Sequence, residues 1–232
     1  MFTFSFLLLY PLFYFTIKTQ RLETAFKLKR FWSFCVTYLI GIVPRIIYKS
    51  HTKKLPRPCV IVANHTSYLD IVISPFYIDH IAIYMGKAEL LKLPLFKTFF
   101  KGMDIPVKRT SKVEAHKALK LAGEEIDKGR SMVIYPEGTI SSHGKLRSFK
   151  SGAFKLAIDK QVPIVPVVNL NNWKLLQNGG FFKSNGCIGF ANVVVLEPIN
   201  TKGMTEENLV DLRERVFKLI NDTLIEYNGT KN

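Results

Sequence analysis

The sequence predicts an α/β domain with a mixed, largely parallel sheet flanked by helices, preceded by a helical segment that associates with a membrane. Three observations carry that prediction. Short apolar runs rich in β-branched residues recur, among them Val60-Ile61-Val62-Ala63, Met132-Val133-Ile134 and Ile164-Val165; such runs suit buried strands. Stretches of helical periodicity separate them, the alternation that builds a parallel sheet with helices on its faces. The first fifty residues differ from the rest, with two almost wholly apolar runs set among basic residues.

The first of those runs, Phe2 to Ile17, is broken by Pro11 and followed by Lys18, Arg21, Lys27, Lys29 and Arg30. The second, Phe31 to Val43, ends at Pro44. Neither clearly reaches the ~20 residues that a spanning helix needs. The segment therefore reads as one short spanning helix or as two helices lying partly in one leaflet. No basic residue precedes the first run and no small-residue cleavage site follows it, so a secretory signal peptide fits poorly. The basic residues between and after the runs, with Arg45, Lys49, Lys53, Lys54 and Arg57, are expected to meet anionic lipid. That places the remainder at the cytoplasmic face of the inner (plasma) membrane. Residues 1–50 are expected to form the membrane-binding segment and 51–232 the α/β domain.

Within the domain, strands are expected at Cys59–Ala63, Ile81–Met85, Met103–Val107, Met132–Tyr135 and Ile164–Leu170. Ser111 and Glu114 form a capping box for a helix whose apolar face is Val113, Ala118, Leu121, Ala122 and Ile126, with Gly129 beyond its end. A second helix is expected over Ser151–Lys160, and a last one from Thr205 to about Tyr227, with Leu209, Leu212, Val216, Leu219 and Leu224 at helical spacing. Asn171–Gly186, rich in Asn and Gly, reads as a loop.

The chain has 232 residues, is 47% hydrophobic and carries a net charge of +15. Its length suffices for one good-sized core, and its charge seeks anions: nucleic acid, acidic lipid or a phosphorylated ligand. Its 3 cysteines, Cys35, Cys59 and Cys187, make no CxxC or metal-ligand pattern and sit in apolar runs, as reduced structural thiols do. No Walker loop, dinucleotide glycine fingerprint or HExxH is present.

The polar stretch Asn64-His65-Thr66-Ser67-Tyr68-Leu69-Asp70 follows the first strand of the domain. Residues five apart on one helix point about 140° away from each other. His65 and Asp70 meet only if His65 lies on the turn before a helix and Asp70 in its first turn, with Ser67 as N-cap. They then form a base and its orienting carboxylate. The simpler alternative is a capping box beside a hydrogen-bonded loop histidine. Lys108-Arg109-Thr110-Ser111 leads into a helix N-terminus and suits a phosphate, or is a solvated turn. Glu137-Gly138-Thr139 places a carboxylate and a hydroxyl around a glycine at a strand end, and Lys145, Arg147 and Lys150 follow. Ligands of an open α/β sheet bind beyond the carboxyl ends of its strands, so these groups are expected on one rim.

Four blocks, in order, make the chain resemble the glycerolipid acyltransferase family: Asn64-His65 with Asp70; Lys87 to Arg109, ending Ile105-Pro106-Val107-Lys108-Arg109; Tyr135-Pro136-Glu137-Gly138-Thr139; and Val162-Pro163-Ile164-Val165-Pro166-Val167. The resemblance covers about residues 50–200. It implies transfer of a fatty acyl group from a thioester, acyl-CoA or acyl carrier protein, to the sn-2 hydroxyl of a 1-acyl-glycerol 3-phosphate. It implies that His65 is the general base and Asp70 its orienter, and that Arg109, Glu137 and Gly138 hold the acceptor. Asn64, Lys87, Lys108 and Thr139, in the same blocks, are taken as part of the binding surface. No metal and no resident cofactor is implied. The tetrahedral oxyanion needs donors, expected among backbone amides near the first helix.

One position departs from the family, whose third block commonly continues with arginine where this chain has Ile140. Arg147 is the expected substitute cation. The departure also opens a second acyltransferase reading with another acceptor, such as glycerol 3-phosphate, a lyso-amino-acid lipid or another lysophospholipid. A reading of a different class, a non-catalytic basic protein that binds membrane or nucleic acid, accounts for the charge but not for the His–Asp pair. No nucleic-acid partner is therefore expected.

Overall fold

The computed structural model describes residues 2–92, 94–108, 110–141, 144–177 and 185–229. Two helices, α1 (Phe2–Lys18) and α2 (Leu22–Leu39), pack as a hairpin. The second apolar run does not remain helical. Gly41 turns the chain with φ +74, and strand β1 (Ile42–Tyr48) follows. Glycine tolerates that left-handed backbone, and a β-carbon there would stand 2.5 Å from the Ile188 side chain. Pro44 and the β-branched pair Ile46-Ile47 then favour strand over helix.

The chain continues through β2 (Val60–Ala63), α3 (Leu69–Ile73), β3 (Ala82–Lys87), α4 (Pro94–Gly102), β4 (Ile105–Val107), α5 (Lys112–Asp127), β5 (Ser131–Ile134), α6 (Gly152–Asp159), β6 (Ile164–Asn169), α7 (Asn172–Leu175), β7 (Gly189–Val195) and α8 (Leu209–Gly229). Ser111 caps α5 by accepting from Glu114 N–H at 3.3 Å. Thr205 and Asn208 form a capping box ahead of α8, around a short 3-10 turn at Glu206–Asn208.

The strands form one sheet in the order β1-β7-β6-β2-β5-β3-β4. The five strands from β6 to β4 are parallel, β7 runs against β6, and β1 runs with β7. The sheet is thus mixed and mostly parallel, as expected. Strands β1 and β7 were not among the expected ones. All residues of β2, β5 and β6 are buried, which fits strands covered on both faces.

The hairpin belongs to the same core. Phe13, Ile17, Leu22, Ala25, Phe26 and Val36 are buried together with the strands. Lys29, expected to meet lipid, is instead buried, its Nζ 3.4 Å from the centre of the Tyr84 ring. Burial lowers its pKa, against the pull of Asp104. Arg30 Nε donates to Pro75 O at 3.1 Å. The opposite faces of α1 and α2 leave Leu7, Leu8, Leu12, Phe15, Phe31, Phe34 and Leu39 exposed. Among the described residues no helix is long and apolar enough to cross a membrane.

Candidate active site

The site is built at the carboxyl end of β2. The chain leaves the strand at Ala63, turns through Asn64–Ser67 and enters α3 one residue before Asp70. That places His65 on the turn and Asp70 in the first helical turn, the one arrangement in which this spacing can close. His65 Nδ1 lies 2.9 Å from Asp70 Oδ2. The same oxygen accepts the backbone N–H of Thr66 at 2.7 Å and of Ser67 at 2.9 Å. Two amides pointing at Oδ2 leave no room for a proton on it. Nδ1 must therefore be the donor, and in the neutral imidazole that tautomer puts the lone pair on Nε2. Nε2 has no hydrogen-bond partner among the described residues, and His65 is 6% exposed. Asp70 Oδ2 thus both orients the histidine and ties down the turn before α3. The N-cap is Tyr68 rather than the expected Ser67, whose Oγ accepts from Leu69 N–H at 3.1 Å within that turn.

The neighbours fix the ring further. The His65 imidazole stacks on Tyr135, centroids 4.1 Å apart and planes 22° apart. Ser141 N–H donates to His65 O at 2.8 Å. Glu137, expected to grip the acceptor, is a buried staple between loops: Oε1 accepts His65 N–H at 2.7 Å and Oε2 accepts Arg147 N–H at 3.0 Å. Burial pushes its carboxyl up to about 7, against the pull of those two N–H bonds. The third block and the basic run are thus tied to the histidine turn, as the topology implied.

The other expected residues are distributed unevenly. Gly138 has φ +71, and a β-carbon there would come within 3.0 Å of Lys150 Nζ, so a lysine amine covers this turn. Thr139 and the side chain of Arg147 are exposed near it in sequence. Asn64 departs from its expected role. Its amide is spent on β6, Nδ2 donating to Asn169 O at 3.0 Å and Oδ1 accepting Asn169 N–H at 2.7 Å. Lys87 and Lys108 are exposed at the ends of β3 and β4. Those strands stand two and three places from β2, roughly 10 and 14 Å at sheet spacing. Arg109 lies outside the described residues. Of the amides near the first helix, expected to supply oxyanion donors, most are committed elsewhere and the Tyr68 N–H alone in the turn has no partner among the described residues. Those of His65, Thr66, Ser67, Leu69 and Asp70 are all committed, to Glu137, Asp70, Asp70, Ser67 Oγ and Ser67 O.

Two residues that the sequence reading passed over complete the buried polar set. Asn172 Nδ2 donates to Asp70 Oδ1 at 2.8 Å and faces Asn169 Oδ1 at 3.3 Å. Asn169 Nδ2 donates to Asn64 O at 2.9 Å. The only sequence signal was a cluster of asparagines just past a strand end, and loop composition hid it. Of the cysteines, Cys59 is buried, with its thiol pushed up to about 12 by burial. Cys187, expected inside, is exposed.

Residues 46–169 match the family described as Acyltransferase. The chain is 34% identical, over 75% of its length, to the human protein named 1-acyl-sn-glycerol-3-phosphate acyltransferase beta, covering 62% of that protein. It is 30% identical to the 1-acyl-sn-glycerol-3-phosphate acyltransferase of Saccharomyces cerevisiae, over 81% of this chain and 62% of the yeast one. It thus spans less than two thirds of either relative. In fold it is similar to the 1-acyl-sn-glycerophosphate acyltransferase PlsC of Thermotoga maritima, with a TM-score of 0.71, 22% identity and 98% of each chain covered.

Proposed function

The chain belongs to the acyltransferase family, and on that footing we propose that it moves a fatty acyl group from a thioester donor to the sn-2 hydroxyl of 1-acyl-glycerol 3-phosphate, giving phosphatidic acid. One observation carries the reading: a buried histidine held through Nδ1 by a carboxylate, with Nε2 left to take a proton. The names of the human and yeast relatives support the acceptor.

His65 Nε2 removes the proton of the acceptor hydroxyl as that oxygen attacks the thioester carbon. Asp70 steadies the imidazolium that forms. The tetrahedral intermediate collapses with loss of the thiolate, which takes the proton back from His65. No protein nucleophile is used, and Cys59, buried with its thiol at about 12, is unsuited to be one. The scheme needs no metal and no resident cofactor; acyl-CoA or acyl carrier protein is a co-substrate. Lys150 over Gly138 and the exposed Arg147, whose N–H meets Glu137, carry cations at the Glu137 turn and would meet the acceptor's phosphate.

The exposed apolar face of α1 and α2 would seat the protein on anionic lipid at the cytoplasmic face of the inner (plasma) membrane. The hairpin's inner face is core, so a test by deletion of residues 1–50 would confound anchoring with folding. Leu8→Asp combined with Phe31→Asp changes the outer face alone. Loss of sedimentation with anionic vesicles is expected, and unchanged sedimentation at high salt removes this anchor.

Ile140 favours a second reading, the same chemistry with an acceptor that lacks a phosphomonoester. Purified protein assayed with 1-acyl-glycerol 3-phosphate, glycerol 3-phosphate and other lysophospholipids, against both donors, decides. Preference for an acceptor without a phosphomonoester overturns the first reading, and no transfer to any overturns both.

A further inference from the structure

We infer that Asn172 is a positioning residue for the His65–Asp70 pair, the terminal member of a relay of asparagines that fixes the Asp70 carboxylate from the side opposite His65. The inference rests on the acyltransferase reading for its kinetic test.

The orientation of each amide in the relay is determined by groups that cannot turn. Backbone Asn169 N–H points at Asn64 Oδ1, and backbone Asn169 O accepts from Asn64 Nδ2. Backbone Asn64 O in turn accepts from Asn169 Nδ2, which leaves Asn169 Oδ1 facing Asn172. Asn172 therefore meets two oxygens, Asp70 Oδ1 at 2.8 Å and Asn169 Oδ1 at 3.3 Å. Only its NH₂ end satisfies both; the flipped amide would set oxygen against oxygen twice. Asn169, Asn172 and Asp70 are fully buried and Asn64 is 1% exposed, so water cannot substitute for a lost partner.

The carboxylate is thereby held at both ends. Oδ2 takes His65 Nδ1 and the amides of Thr66 and Ser67, while Oδ1 has Asn172 Nδ2 as its one partner among the described residues. Removing Asn172 leaves Oδ1 unpaired in a dry site, with Tyr77, Tyr135 and Glu137 the other ionisable groups that feel the Asp70 charge. Only the Oδ2 contacts are then left to orient the carboxylate and, through it, the His65 ring. One detail argues that Asn172 serves the site rather than general stability. Its own Oδ1 is buried with no partner among the described residues, a cost that a purely structural side chain would not carry.

The test compares Asn172→Leu and Asn172→Asp with wild type. Asn172→Leu keeps the bulk and removes the N–H. Its kcat is expected to fall about 10- to 100-fold, the order that a lost hydrogen bond to a charged group carries, with both KM values within about twofold. Asn172→Asp keeps the shape but sets a second carboxyl against Asp70, and such a pair shares one proton. Wild-type kcat/KM should rise with pH to a plateau, as for a general base. In Asn172→Asp the plateau should become a descending limb, as the shared proton leaves and the two charges repel. The low-field His65 Nδ1 proton in an NMR spectrum, assigned by its disappearance in His65→Ala, gives a readout independent of turnover. It should shift or broaden in both variants.

An unchanged kcat in folded Asn172→Leu, or an Asn172→Asp profile that overlays wild type, overturns the inference. If Asn172→Leu does not fold, the isosteric Asn172→Asp decides alone. Wild-type protein that transfers no acyl group to any acceptor overturns the acyltransferase reading, and the Nδ1 resonance then still decides whether Asn172 holds the pair.

Discussion

Replacing Asp70 by asparagine separates two tasks that a catalytic carboxylate usually performs together, and the geometry here predicts that one of them survives. The new amide can enter two ways. With its nitrogen at the Oδ2 position it would face three donors, His65 Nδ1 and the amides of Thr66 and Ser67. Two of those donors are backbone and cannot invert, so the nitrogen must take the Oδ1 position. A carbonyl oxygen then still receives His65 Nδ1–H, and the tautomer is kept. Asn172 must flip to accept the new N–H, at the expense of its contact with Asn169 Oδ1. What is lost is charge. A unit charge at about 4 Å from the imidazolium is worth about 4 kcal/mol at an effective dielectric constant of about 20, or roughly 10³ in rate. Where the tautomer is lost as well, the known cost of this substitution in a serine-protease triad is about 10⁴. Asp70→Asn should therefore lower kcat about 10³-fold with little change in either KM, measured by steady-state transfer of a labelled acyl group. A kcat within tenfold of wild type would falsify the role of the charge. A loss as large as that of His65→Ala, in folded protein, refutes the argument that backbone amides preserve the tautomer.

Three further outcomes are expected. His65→Ala should remove nearly all transfer, about 10⁴-fold, while circular dichroism and thermal melting stay close to wild type; near-normal turnover sinks the base assignment. Burial raises the Glu137 carboxyl from 4.5 to about 7, so the folded chain keeps a proton that the unfolded chain releases. The stability tied to that proton is complete below pH 4.5 and lost as pH rises through 7, about 3 kcal/mol in all. Urea titrations at pH 5 and pH 8 should show this loss in wild type and not in Glu137→Gln; equal pH differences in the two would remove it. Arg147→Ala keeps the backbone N–H that Glu137 uses and deletes only the exposed cation. It should raise the KM for 1-acyl-glycerol 3-phosphate on the order of tenfold, with the donor KM little changed. An unchanged acceptor KM returns Arg147 to solvent.

How far the sequence reached depended on the range of the interaction. The His65–Asp70 pair was legible because five residues and one turn contain it, and periodicity alone showed how it had to close. The parallel core was legible because β2, β5 and β6 are continuous apolar runs. Strand β1 was hidden inside an apolar stretch that reads as one helix until Gly41 takes a left-handed backbone, a tertiary choice made against Ile188. Strand β7 begins in Gly189 and carries Asn192, the composition of a loop. Glu137 was seen as chemistry but not as a staple, since both of its partners are backbone amides, 72 and 10 residues away. Asn172 meets Asp70 across 102 residues, and no local pattern encodes that meeting.

The reversal of direction between β6 and β7 decides where the hairpin joins the molecule. Because β7 runs against β6 and β1 runs with β7, both begin beyond the rim where β2 and β6 end: Ile42 and Gly189 lie past Asn169, while Tyr48 and Val195 are level with Val167 and Ala63. The hairpin feeds β1, and Gly189 N–H donates to Gly41 O at 3.0 Å at that junction. The exposed leucines and phenylalanines are thus carried by helices that enter the sheet at the histidine's end. Had β1 run with β6 instead, the hairpin would join at the row of Tyr48 and Ala63, roughly 20 Å lower along the sheet and below the rim rather than beyond it. In the proposed reaction that distance separates two kinds of journey. An acceptor whose tail stays in the bilayer can slide laterally to the base and bring only its hydroxyl out; with the hairpin at the other end, it would have to be lifted clear of the lipid first. On the proposed function and anchor, the orientation of one edge strand would set whether the substrate arrives by two-dimensional diffusion or by extraction.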